Sequence, residues 1–276
     1  MDRRRFLKGV GAVAVGLAAQ RFPGAPLAAA QSSARLALVG DVGTGDAVSR
    51  AVAEAVGGSG AFDGLVLLGD NAYPDGDPRL LDQTVFGPYA DVLRRARLCA
   101  LLGNHDVKDG NASGQVRALG MPGRWYSRTF GDLLLVCLDT NRVGSAQQRS
   151  WLESTLRGAA QRWRVAAMHA PAYSAGKHGS NEQVRSTWGP LFEEHGVQLV
   201  VAGHDHNYQV SRPQRGVTYL VSGGGGGGLY RARPASFTAE LAVEHHFVEL
   251  EAGGGGLRYA AVDRNGRRFD AGTITA

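Results

Sequence analysis

A chain of 276 residues with 43% apolar and 20% charged side chains has enough hydrophobic material for one large packed domain, which excludes general disorder. Its formal charge of +5 is concentrated at one end: residues 1–30 hold Arg3, Arg4, Arg5, Lys8 and Arg21 against Asp2, leaving 25 basic and 24 acidic side chains elsewhere. The body of the chain is close to neutral, so charge gives no support to a nucleic-acid surface.

The stretch Asp2-Arg3-Arg4-Arg5-Phe6-Leu7-Lys8 resembles the twin-arginine export pattern. The apolar run Val10 to Ala19 and the small residues Ala28, Ala29 and Ala30 follow it. Basic, apolar and small residues in that order form an export signal. The apolar run is shorter than the roughly 20 residues that span a bilayer. The expectation is a signal peptide over 1–30 and a domain over 31–276. The twin-arginine export machinery would deliver a periplasmic or secreted protein without a stable membrane anchor.

From Gln31 onward short apolar runs alternate with amphipathic stretches. Arg35 to Val39 reads as a strand, Asp46 to Val56 as a helix with Asp46 at its N-cap, and Leu65 to Leu68 as a second strand. Arg79 to Arg95 is helical in pattern but broken at Gly87-Pro88, which predicts two short helices. Strands follow at Leu98 to Leu102 and Leu133 to Leu138, then a helix from Ser145 to Arg157 with Ser145 as cap. Trp163 to Met168 is a strand and Glu182 to His195 a helix. Gln198 to Ala202, Thr218 to Val221, His246 to Leu250 and Leu257 to Val262 complete the strands, with Gly253 to Gly256 as a hairpin loop. The first half reads as β-α-β units, hence a parallel sheet covered by helices. The last third reads as antiparallel. Cys99 and Cys137 each lie in an apolar run and read as buried thiols, with a disulfide between them left open.

Polar residues follow the strand ends with regularity. Gly40-Asp41-Val42-Gly43, Gly69-Asp70-Asn71-Ala72-Tyr73, Gly103-Asn104-His105-Asp106, His169, and Gly203-His204-Asp205-His206 each come directly after a strand. In an open α/β sheet the carboxyl ends of parallel strands share one edge, where ligands bind. Taken singly, a Gly-Asp after a strand is commonly a capped turn and an Asn-His pair commonly a hydrogen-bonded loop. Together they place Asp41, Asp70, Tyr73, Asn104, His169, His204 and His206 at one edge. Oxygen and imidazole donors without thiolate favour iron, zinc or manganese. Seven donors suit two ions sharing a bridging carboxylate, the arrangement that clamps a phosphoryl group and lowers the pKa of a bound water. Asp106 and Asp205 read as loop-orienting neighbours of these donors. The run Gly223 to Gly228 reads equally as a flexible surface loop or as a place where a substrate can approach closely.

These five blocks resemble those of the calcineurin-like metallophosphoesterases. Gly43 stands where most of that superfamily has a histidine. Tyr73, three residues after the second Asp, is similar to the replacement ligand of the purple acid phosphatases. His169-Ala-Pro-Ala-Tyr-Ser-Ala-Gly-Lys-His178-Gly resembles the small, tartrate-resistant branch of that group. The resemblance implies a four-layer α/β/β/α sandwich of two mixed sheets flanked by helices. It implies two metal ions: Fe(III) on Asp41, Tyr73 and His206, and Fe(II), Zn(II) or Mn(II) on Asn104, His169 and His204, bridged by Asp70. It also implies that His105 and His178 contact the phosphate and protonate the leaving group of a phosphate-ester substrate. The expected activity is metal-dependent phosphate monoester hydrolysis by a metal-bound hydroxide. A phosphodiesterase on the same scaffold, peroxide-dependent redox chemistry at the same ions, and a non-catalytic phosphate- or iron-binding protein are the alternatives.

Overall fold

A computed structural model describes residues 33–275, so the expected signal peptide lies outside the described residues. Within them, strands β1 (Ala34–Val39), β2 (Gly64–Leu67) and β3 (Arg97–Ala100) run parallel at one side of a six-stranded sheet. The sheet is completed by three antiparallel strands from the chain's end, β11 (His246–Gly253), β12 (Gly256–Asp263) and β13 (Arg268–Ile274), in the order β13-β12-β11-β1-β2-β3. The second sheet is seven-stranded. Its parallel core is β5 (Leu133–Cys137), β6 (Trp163–Ala167), β7 (Leu199–Ala202) and β9 (Thr218–Ser222). The antiparallel strands β4 (Tyr126–Phe130), β8 (Tyr208–Ser211) and β10 (Thr238–Ala242) give the order β10-β8-β9-β7-β6-β5-β4.

The two mixed sheets face one another across a shared core. Leu133, Leu135 and Cys137 of β5 pack into that core with Leu36, Leu38 and Phe247, while Leu134, Val136 and Leu138 turn to the opposite face. This alternation is the period of two that a strand imposes. On the far face, β5, β6 and β7 pack against α4 (Ala146–Arg157) and α5 (Glu182–Glu194) through Leu152, Leu156, Trp188 and Phe192. The first sheet is covered by α1 (Ala47–Gly58), whose Val52, Ala53 and Val56 are buried. Sheets buried on both sides explain why their central strands are continuously apolar. The expected α/β sandwich of two mixed sheets flanked by helices is the fold observed. Both cysteines are buried free thiols.

The helix caps follow the sequence. The Asp46 carboxylate accepts the N–H groups of Val48 and Ser49, and the Ser145 hydroxyl accepts that of Gln148. The segment read as two short helices is instead a 3₁₀ turn at Pro78–Leu80, one π turn at Asp82–Phe86 and the single-turn helix α2 (Ala90–Leu93). Gly87 closes the π turn by donating to the Asp82 carbonyl at 2.9 Å. The short α3 (Ala112–Ala118) and four strands were not read from the sequence.

Gly223 to Gly227 are buried, so the surface-loop reading of this run does not hold. The run passes under the tip of β1: Gly225 N–H donates to the Gly40 carbonyl at 2.9 Å and Gly227 N–H to the Asp41 carbonyl at 3.0 Å. Space demands glycine here. A methyl group on Gly225 would stand 2.3 Å from the Gly40 oxygen, whereas one on Gly228 would meet nothing within 4 Å. Gly225→Ala is therefore expected to lower stability by about 1–3 kcal/mol, the usual cost of overpacking. Gly228→Ala is expected to leave it unchanged, and chemical denaturation of both variants measures the difference.

Candidate metal centre

Every sequence-predicted donor lies at the carboxyl end of a parallel strand, but the strands belong to two sheets. Asp41, Asp70, Tyr73 and Asn104 follow β1, β2 and β3 of the first sheet; His169, His204 and His206 follow β6 and β7 of the second. The tips are sewn together across the gap: Gly40 N–H donates to the Ser222 carbonyl at 2.9 Å, and His169 Nδ1 meets the Leu68 carbonyl at 2.8 Å. Asp41, Asp70 and His204 have φ angles of 63°, 54° and 72°, the left-handed region that L-residues avoid. Such strain costs on the order of 1–3 kcal/mol per residue and clusters at functional sites. Here the tertiary bonds hold it: Asp41 N–H donates to the Gly69 carbonyl at 3.0 Å and His204 N–H to Asp41 Oδ2 at 2.8 Å.

The donors form two groups. In one, the Tyr73 hydroxyl lies 3.3 Å from Asp41 Oδ1 and 3.1 Å from His206 Nε2, with His206 Nε2 3.3 Å from Asp41 Oδ1. In the other, His169 Nε2 lies 3.1 Å from Asn104 Oδ1 and 3.6 Å from Asp70 Oδ1. Donor atoms of Asp41, Asp70 and His169 fall within 4.8 Å of one another, which joins the groups. The His204 ring lies 4.9 Å from that of His169. In each group the first sheet supplies oxygen and the second supplies imidazole.

Two imidazoles are oriented for coordination. His206 Nδ1 bonds the Gly228 carbonyl at 2.7 Å, as His169 Nδ1 bonds that of Leu68, so in both rings Nδ1 carries the hydrogen and Nε2 presents its lone pair inward. Burial pulls the pKa of both rings down, but neighbouring carboxylates outweigh it, Asp70 and Asp41 for His169 and Asp41 for His206. His204 is pushed down to about 2 by burial and by the imidazoles beside it, which keeps it neutral. Burial, then Asp41 and Asp70, hold the proton on Tyr73. Among the described residues, the ion-pair partners of Asp41 and Asp70 are imidazoles alone. Inward-facing acceptors in excess of donors fit a pair of hard or borderline cations, which would also reverse the preference at Tyr73.

His105 and His178 line the same cavity of about 280 Å³ as Asp70, Tyr73, Asn104, His204 and His206. Two buried carboxylates fix their loops. Asp106 accepts N–H groups from Asn71 at 2.9 Å and Gly103 at 2.9 Å, tying the β2 loop to the β3 loop. Burial and the charge of Asp70 raise Asp106 to about 7. Asp205 accepts the Ser174 hydroxyl at 2.5 Å and the His178 N–H at 2.9 Å, which ties the His178 loop to the segment carrying His204 and His206.

Sequence reasoning missed Thr44 and Tyr230, which complete the cavity wall. Tyr230 stacks on His206 with ring centroids 4.3 Å apart, and it sits beyond the glycine run where no periodicity marks it. The geometry also couples Gly43 to Tyr73. Tyr73 N–H donates to the Gly43 carbonyl at 2.9 Å, and a Cβ at Gly43 would stand 2.7 Å from Ala72 N and 2.8 Å from Tyr73 N. A side chain at position 43 and the tyrosine-bearing turn exclude one another.

Residues 34–208, more than half the chain, match the family described as calcineurin-like phosphoesterase. The chain is 29% identical over 199 residues to tartrate-resistant acid phosphatase type 5 of Mus musculus, covering 59% of this chain and 61% of that protein. It is 27% identical to purple acid phosphatase 21 of Arabidopsis thaliana, over 60% of this chain and 44% of that one. The match thus spans about three-fifths of the mouse relative's length. Among solved structures, purple acid phosphatase PPD1 from yellow lupin seeds superposes with a TM-score of 0.79 at 19% identity, over 89% of this chain and 54% of that chain. GAP50, described as the anchor in the inner membrane complex of Plasmodium, superposes at 0.78 and 18% identity, over 88% of each chain. At these identities both establish the fold alone.

Gly43→His is expected to damage the centre rather than add a donor, because the new side chain collides with the backbone that carries Tyr73. Elemental analysis of the purified variant should find less bound metal than in the wild type, and chemical denaturation should find lower stability. Full metal content at unchanged stability would show that the turn can move aside.

Proposed function

The chain belongs to the calcineurin-like phosphoesterase family, and on that footing we propose that it hydrolyses phosphate monoesters at a two-metal centre of the purple acid phosphatase kind. The observation that carries this reading is the pair of acceptor groups meeting between Asp41 and Asp70, with Tyr73 in one and Asn104 in the other. Asp41, Tyr73 and His206 would hold Fe(III). Asn104, His169 and His204 would hold Fe(II), Zn(II) or Mn(II), with Asp70 shared. When bound, such ions polarise a phosphoryl group and bring the pKa of a water toward neutrality.

The remaining work falls to the chain's own residues. His105 and His178 lie on the cavity wall outside the donor groups, placed to hydrogen-bond phosphate oxygens. His178 is 4.2 Å from His204, ring to ring, and its N–H is fixed by Asp205, so its imidazole faces the cavity from a held backbone. An alkoxide leaving group needs a proton, and imidazole is the side chain best matched to giving one near neutral pH. The sequence of residues 1–30 supports twin-arginine export to the periplasm or beyond, which would deliver the protein already folded.

The test is turnover by metal-loaded protein of matched aryl and alkyl phosphate monoesters and of an aryl diester. The monoesters are expected to react faster; preference for the diester would make this a phosphodiesterase, and phosphate binding without any hydrolysis would make it a binding protein. His178→Ala is expected to slow the alkyl ester by about a hundredfold or more, the scale of general acid catalysis, and the aryl ester by much less. Equal slowing would remove the acid role. Tyr73→Phe is expected to abolish the visible absorption of the iron-loaded protein while circular dichroism stays native. Retention of the band would show that Tyr73 is not the iron ligand.

A further inference from the structure

The mouth of the cavity is electrically lopsided. On the His105 side, Lys108 Nζ lies 2.9 Å from His105 Nδ1, and a neighbouring hollow is lined by Asp75, Asp77 and Asp109, with Arg79 paired to Asp77. On the His178 side the sequence reads Lys177-His178, and Lys177 Nζ stands 4.6 Å from the centroid of the Tyr230 ring. His206 stacks on Tyr230 at 4.3 Å with an 11° tilt and so takes one face, which leaves Lys177 the other. His206 and Tyr230 belong to the cavity wall, and Lys177, next to the wall residue His178, extends their stack to imidazole, phenol and ammonium. Among the described residues, Lys177 makes no ion pair. No carboxylate lines the cavity on that side; the single one in its wall is Asp70, among the metal donors.

The position of this ammonium is built. Tyr230 N–H donates to the His206 carbonyl at 3.1 Å, which anchors its backbone, the stack on His206 holds its ring, and the ring's negative face attracts the cation. The loop beneath is clamped: Gly176 N–H donates to Ser174 Oγ at 3.0 Å, and His178 N–H to Asp205 Oδ1 at 2.9 Å. Gly176 has no room for a side chain, since its Cβ would stand 2.4 Å from the Asp205 carboxyl carbon. Lys177 is thus held between two pinned residues, exposed to solvent, beside the histidine proposed above as the acid.

We propose that Lys177, seated on Tyr230, is a specificity residue that selects phosphate monoesters whose leaving group carries an anion of its own, a carboxylate or a second phosphate. The proposal rests on the monoesterase reading above. The phosphoryl group occupies the donor groups, the leaving group lies toward His178, and an anion two or three bonds beyond the ester oxygen comes within reach of the ammonium. A unit charge pair about 6 Å apart gives roughly a threefold preference at the dielectric of water, and more where the protein surface lowers it. That preference is screened away as salt rises.

The experiment compares 3-phosphoglycerate with glycerol 3-phosphate, which differ in the carboxylate. Wild-type metal-loaded protein is expected to show a ratio of kcat/KM of about fivefold in favour of phosphoglycerate at low salt, falling toward one at about 0.5 M salt. Lys177→Gln is expected to bring the ratio near one at all salt concentrations, and Lys177→Arg to keep it. The same comparison is made at equilibrium with 3-phosphonopropionate and ethylphosphonate, which cannot be hydrolysed, using calorimetry. A wild-type ratio near one in both experiments, or a ratio that Lys177→Gln leaves intact, overturns the proposal. If no ester is turned over, the monoesterase reading falls, and the phosphonate ratio alone then decides whether Lys177 selects anions.

Discussion

The centre depends on backbone lying directly on backbone at the tips of the parallel strands. Gly40, Gly69, Gly103 and Gly203 each precede a candidate donor, and each is pressed against another tip. A Cβ on Gly69 would stand 2.7 Å from Gly103 N, one on Gly103 2.0 Å from Asp70 Oδ1, and one on Gly203 2.7 Å from Asp41 Oδ2. Without side chains in between, loops from two sheets approach closely enough for carboxylates and imidazoles to share one small space. Glycine is needed here for its missing volume, and at Gly69, with φ of 91°, for its backbone freedom as well.

That crowding accounts for the rest of the local chemistry. Strained φ angles at Asp41, Asp70 and His204 persist because each tip is over-determined by bonds from its neighbours. Buried Asp106 and Asp205 then act as struts, one within the first sheet's loops and one within the second's. Low local dielectric makes both costly to bury and strong once bonded. A site held by struts rather than by mobile loops is preorganised, which favours electrostatic stabilisation of a developing charge.

The blocks that follow β1, β2, β3, β6 and β7 were legible because the chemistry and the turn share the same few residues. The central strands were legible because they are buried on both faces and read as unbroken apolar runs. The edge strands β4, β10 and β13 were not: Tyr126–Phe130, Thr238–Ala242 and Arg268–Ile274 carry the polar and charged residues that protect an exposed edge. Strand β8 was hidden because it starts two residues past His206, inside what reads as a polar loop. Tyr230 and Lys177 meet across more than fifty residues, and their contact exists only in three dimensions. The glycine run was ambiguous for a related reason, since flexible linkers and tightly packed turns have the same composition, and only the neighbours of Gly225 and Gly227 tell them apart.

Oxygen donors from one sheet and nitrogen donors from the other make the centre a record of assembly. A chain with only β1, β2 and β3 in place offers Asp41, Asp70, Tyr73 and Asn104, and half of a coordination sphere binds a cation far more weakly than a whole one. His206 presents the correct nitrogen only when Gly228 has arrived to take its hydrogen, and Gly224 must in turn accept from His246 of β11. Loading would therefore await the return of β11 to the side of β1, and an ion held at full affinity would mark a chain whose last strands have come back to its first.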